Sequence, residues 1–168
     1  YDRTVDRLSM RNVPAVPPRY GHDHFFAVFN LFRAVSGARR SDMLAEAAAK
    51  AVRDNTDYLE LLLTLQSEPL GALADSAPWS GDLETEYRTL LPGVRNLLAA
   101  GRAEVDAVLA GQRTILGCDG PHPPRACAVS IRFVQQVNRT ASPRRTFASL
   151  IFGSELAARD SRVVGIDL

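Results

Sequence analysis

Lysine is almost missing from this chain. Lys50 is the only one, so its 20 basic residues are nearly all arginine, a bias we read as background composition rather than a site. No excess of either charge sign exists, since the formal net charge is +1, and so there is no long-range field to draw nucleic acid or an anionic membrane. No apolar run approaches a membrane span, and no signal peptide is visible. The chain opens without Met, which leaves room for a removed leader. Nucleophile and phosphate signatures are missing too: no GxSxG, no Walker loop and no GxGxxG after a strand. That excludes the commonest hydrolase and nucleotide-binding patterns.

Cysteine is scarce. Cys118 and Cys127 flank the loop CDGPHPPRAC. A disulfide pinning that loop would place the protein in an oxidising periplasm or outside the cell, and two free thiols would place it in the cytoplasm. Spacing alone leaves both readings open. A zinc site built on the two thiols and His122 lacks a fourth ligand.

What is present is an ordinary globular composition, 46% hydrophobic over 168 residues. That length suits one domain, 1–168, but falls short of the roughly 250 residues of a complete eight-fold barrel. Residues 1–20 are rich in Arg and Pro without periodicity and read as an extended connector. Residues 21–56 read as a helical lid of two helices. The first carries Phe25, Phe26, Phe29, Leu31 and Phe32 and ends at Gly37, and the second is Ala-rich and starts at Ser41.

Residues 57–168 read as a βαβαβ segment, which right-handed crossovers turn into parallel pairing. Its strands are 57–65, 128–139 and 162–168. A Pro/Gly/Ser-rich loop follows the first strand, and two helices separated at Pro92-Gly93 fill 82–117. Ser142-Pro143 opens the last helix. The closing run VVGIDL reads as a buried parallel strand whose Asp167 sits near its C-terminal end, the edge where α/β enzymes place their chemistry. Because it stops there, the chain is expected to be a piece of a larger α/β enzyme.

Individual residues carry competing readings. His22-Asp23-His24 has the spacing of a chelating pair, but it precedes an aromatic helix rather than ending a strand, so pocket-lining is preferred to metal ligation. The phenylalanine cluster is either core or a surface for a flat ring such as a purine. Glu60 on the first strand is expected to pair with Arg132 or Arg139.

Five blocks in order, LSMRN (8–12), GHDHFFAVFNLF (21–32), DYLELLLTL (57–65), IRFVQQVNR (131–139) and VVGIDL (163–168), resemble the adenosine deaminase family, in particular a bacterial branch with an SMR…GHDHFF signature. The resemblance implies a zinc-dependent (β/α)8 barrel that hydrolyses adenosine to inosine and ammonia. It implies that this chain is a partial TIM barrel holding the second to fourth strands. His22, Phe25, Phe26 and Phe29 would lid the purine, Asn138 and Arg139 would edge its pocket, and Asp167 would stand beside the metal cluster. The family's metal ligands and catalytic Glu would lie outside the chain, so the resemblance implies zinc and a purine nucleoside for the intact parent and an inactive segment here. Leu62 stands where other members carry Arg, which bears on substrate choice. The competing reading is a non-catalytic helical module that binds a partner protein through the aromatic face. Exposed sheet edges are expected to drive self-association.

Overall fold

A computed structural model describes residues 1–11, 20–36 and 38–168. Three strands, β1 (Tyr58–Leu63), β2 (Ser130–Gln136) and β3 (Val163–Asp167), form one parallel sheet in chain order. The described residues also hold six α-helices: α1 (Asp2–Leu8), α2 (Tyr20–Ser36), α3 (Arg40–Arg53), α4 (Ser67–Asp75), α5 (Leu83–Leu116) and α6 (Pro143–Ala157). The fold is therefore mixed α/β, with its three strands inside the expected spans 57–65, 128–139 and 162–168.

Alternation along β1 decides which face is covered. Leu59, Leu61 and Leu63 turn inward, while Tyr58, Glu60 and Leu62 remain exposed. On β2 the inward set is Ile131, Phe133 and Gln135, and on β3 Val163 is buried. These residues share a core with Leu90, Val94 and Val105 of α5 and Phe152 and Leu156 of α6. One face of the sheet is thus packed by helices, and the other presents Leu62 and Val164 at 54% and 44% exposure. The register slips between Phe133 and Val134, so that Val134 pairs with Gly165 and Gln136 with Asp167.

Several elements depart from expectation. Residues 82–117 form one 34-residue helix rather than two, with Pro92 inside it. Pro92 deletes one backbone hydrogen bond, but the turns on either side are anchored by Leu90 and Val94, which are fully buried. Gly93 lets Leu73 of α4 approach so closely that a Cβ there would lie 2.5 Å from it. Asp82 caps the helix by accepting from Thr85 N at 2.8 Å, and Gly117 ends it at φ +69°. The stretch expected to be a loop after β1 contains α4. The extended connector is corrected over Asp2–Leu8, which is helical, with Arg11 folding back on Asp6 at 2.7 Å and Asp2 at 3.1 Å. Residues 12–19 and Gly37, the expected stop of α2, lie outside the described residues. Ser142 caps α6 from Pro143 onward, accepting from Arg145 N at 3.4 Å.

Two polar features tie the helices together. Arg144, 4% exposed, places its Nε 2.6 Å from Glu86 Oε2 and donates from Nη1 to the carbonyls of Ala74 and Ala77 at 2.5 and 3.0 Å. Glu86 also accepts from Ser80 N at 2.7 Å. Cys118 and Cys127 are joined in a disulfide, Cα to Cα 5.6 Å, which closes the Pro-rich loop between α5 and β2.

Candidate functional site

The C-terminal ends of the three strands converge on a polar cleft of about 900 Å³ lined by Arg40, Thr64, Ser67, Gln136, Asn138, Arg139, Thr140 and Asp167. Most of the lining residues lie at or just past a strand end, while Arg40 and Ser67 come from the starts of α3 and α4. Thr64 is the first residue after β1, and its hydroxyl donates to Gln136 Oε1 at 2.9 Å. Gln136 and Asp167 are register partners, so their side chains leave the sheet on one face. Val137 N donates to the Asp167 carbonyl at 2.8 Å and carries the pairing one residue further. Asn138 then turns the chain: its Oδ1 accepts from Thr140 N at 3.0 Å and Thr140 Oγ1 at 2.7 Å, an Asx turn that leaves Arg139 at the exposed tip.

Behind β1 the backbone is held in an uncommon conformation. Gln66 sits in the left-handed region at φ 51° and ψ 32°, which costs a non-glycine residue about 1 kcal/mol or more. Glu104 of α5 holds it there, accepting from Gln66 N at 3.3 Å and from its side-chain Nε2. The same carboxylate takes Arg40 Nη1 at 3.1 Å, while Arg40 Nη2 donates to the Thr64 carbonyl at 3.1 Å. Below the rim, Gln135 is 1% exposed and satisfies Leu65 N at 3.2 Å through its Oε1. The rim is therefore braced from α5 and from β2. It offers cationic, amide and hydroxyl groups and one carboxylate, a set suited to orienting a polar ligand.

Sequence-predicted site residues divide into two groups. Asn138, Arg139 and Asp167 line this cleft together. His22, Phe25, Phe26 and Phe29 lie on α2 and are not among its lining residues. Phe25, Val28, Phe29 and Phe32 instead border an apolar hollow of about 130 Å³ against Leu8, Ser9 and Met10 at the end of α1. Phe25 meets Phe26 and Phe29 edge-on, with centroids 5.3 and 5.1 Å apart, and His22 leans on Phe26 at 4.7 Å. About half of each of these phenylalanines stays exposed. In sequence α2 ends at Ser36, four residues before Arg40, whose guanidinium donates to the Thr64 carbonyl.

His22 and His24 do not form a chelating pair. Both lie inside α2, where residues two apart point to opposite sides. His22 Nδ1 faces Asp23 Oδ1 at 3.0 Å, and His24 Nε2 faces the Ser9 carbonyl at 3.0 Å. Among the described residues no three His, Cys, Asp or Glu side chains gather as a metal site. The zinc implied by the family resemblance therefore finds no ligand set among the described residues. Glu60 makes no ion pair with Arg132 or Arg139. It is exposed and accepts from Tyr58 Oη at 2.7 Å, which raises the Tyr58 pKa.

Thr64, Gln136, Ser67 and Arg40 were not anticipated as rim residues. Gln136 carried a signal, being the outward-facing last residue of a strand with strict alternation. Arg40, at a helix start far from any strand in sequence, carried none. No helix among the described residues is long and apolar enough to cross a membrane. No family model, characterised protein or solved structure matches the chain.

Proposed function

We propose that residues 1–168 are a segment of the wall and lid of an adenosine deaminase-like hydrolase, a partial (β/α)8 barrel whose parent converts adenosine to inosine and ammonia. The observation that carries this reading is the sheet. Its strands run parallel in chain order, and the helices of both crossovers share one core with the inward face of the sheet, the arrangement that consecutive staves of a barrel require. The gathering of Asn138, Arg139 and Asp167 at the strands' C-terminal ends supports it further. In this reading Asp167 and the amides of Gln136 and Asn138 hydrogen-bond the aminopurine and ribose, while the aromatic face of α2 stacks on the base. The segment orients substrate and has no turnover of its own. Its disulfide favours an oxidising compartment.

Adenosine titrated into the 168-residue chain, followed by amide chemical shifts, tests this. Shifts centred on Gln136, Asn138, Arg139 and Asp167, without ammonia release, are expected, with deamination appearing only in a chain extended on both sides. Ammonia release by the segment alone, or shifts that avoid the rim, would overturn the assignment. The alternative, a protein-binding helical module, draws on the half-exposed phenylalanines of α2. It predicts that adenosine leaves every amide unmoved.

A further inference from the structure

Arginines in the helical layer are spent on carboxylates. Arg144 is on Glu86, Arg95 on Glu155, Arg145 on Asp75, and Arg162 on Asp160 and Asp106. The rim differs. Arg139 and Asp167 face the same cleft, yet neither side chain has a hydrogen-bond or ion-pair partner among the described residues, and they do not pair with each other. Arg40 adds a second guanidinium, held on one edge by Glu104 and the Thr64 carbonyl. Ser67 and Thr140 line the same cleft.

A neutral nucleoside leaves this arrangement over-supplied. Its amino and hydroxyl groups satisfy a carboxylate such as Asp167, but it brings no negative charge to balance a guanidinium. A phosphate monoester does, because its oxygens match the planar donors of arginine in charge and in geometry. The cleft, at about 900 Å³, is large enough to hold both ends of such a ligand. We propose that the rim cleft contains a phosphate subsite formed by Arg139 and Arg40, so that the ligand is an aminopurine nucleoside 5′-phosphate with its base and sugar toward Asp167. The subsite stands on the cleft and on the unpaired guanidinium of Arg139, with Arg40, already paired to Glu104, as the second donor, and the naming of the aminopurine rests on the purine-pocket reading above.

Calorimetric titration of the full chain with adenosine 5′-monophosphate, adenosine and inorganic phosphate tests the proposal. The monophosphate is expected to bind at least about tenfold more tightly than adenosine in low salt, the margin shrinking as salt is added. Arg139→Ala should reduce that margin to within about twofold, and Arg139→Lys should keep part of it. Equal affinity for monophosphate and adenosine, or a margin that survives Arg139→Ala, overturns the phosphate subsite while leaving the purine reading standing. Inorganic phosphate binding that is lost in Arg139→Ala, with no response to adenosine, keeps the subsite and removes the aminopurine. No response to any of the three ligands overturns both.

Discussion

Asp160 shows how much a single side chain can be asked to do at the end of the molecule opposite the rim. It is 7% exposed, and Arg162 binds it through Nη2 at 2.7 Å and Nε at 2.8 Å, while Arg162 N donates to it at 3.1 Å. These contacts, led by the Arg162 side chain, pull its pKa from 3.8 down to about 2. A carboxyl that is more acidic in the folded chain stabilises the fold wherever it is ionised in both states. That contribution, about 2 kcal/mol, is complete above the unfolded pKa and disappears as pH falls through the folded one. Asp160→Asn should therefore be less stable than the wild type by about 2 kcal/mol at pH 6. The difference should hold to about pH 4 and close between pH 4 and 2. Urea denaturation across that range measures it, and a gap independent of pH refutes the ion pair as its source. Asp167 has a different standing: it too lies at an end of β3, but without an arginine partner, which leaves it available to a ligand.

At the scale of elements, α5 organises the helical layer. Gly101 lies where Phe152 of α6 crosses, and a Cβ at that position would stand 2.6 Å from the ring. Phe152 is fully buried, so the ring has nowhere to retreat. Gly101→Ala is expected to destabilise the fold by about 1–3 kcal/mol despite its gain in helix propensity. Combining it with Phe152→Leu should recover part of that loss, because the smaller side chain vacates the contact. A double-mutant cycle in urea reads the coupling, and strictly additive losses would count against this contact. The burial of Leu90 and Val94 on either side explains why α5 runs through Pro92. Local chemistry favours a break there, but the side chains packed on either side need a continuous cylinder.

For the whole molecule, the uncovered face of the sheet is the dominant fact. Parallel sheets are nearly always covered on both faces, and this one leaves Leu62 and Val164 exposed on one. Among the described residues, β1 and β3 are the outer strands of a three-stranded sheet, and no further strand pairs with them. Sedimentation velocity on the isolated chain should therefore show mass rising with concentration. Leu62→Lys with Val164→Lys should return it toward the monomer. A wild-type chain that stays monomeric up to about 100 µM, a range in which exposed strand edges ordinarily associate, would argue against this.

The sequence by itself determined the elements that depend on near neighbours. Alternation placed the second strand, since burying one face of a strand imposes a two-residue period, while flanking turns placed the first and a β-branched apolar run placed the third. Ser142-Pro143 marked the start of α6 because its capping hydroxyl and fixed φ act within one turn. Asp167 was legible as a rim residue from its position at the end of an apolar run. Tertiary structure decided what depends on distant partners. It joined Cys118 to Cys127 where spacing left two outcomes, and it carried α5 past Pro92. It seated Arg40 and Glu104 beneath Thr64, and it set the phenylalanines of α2 against α1 rather than in the rim cleft. These outcomes rest on packing between segments far apart in the chain, whose free energy appears only when both are present. No local pattern in either segment carries that information.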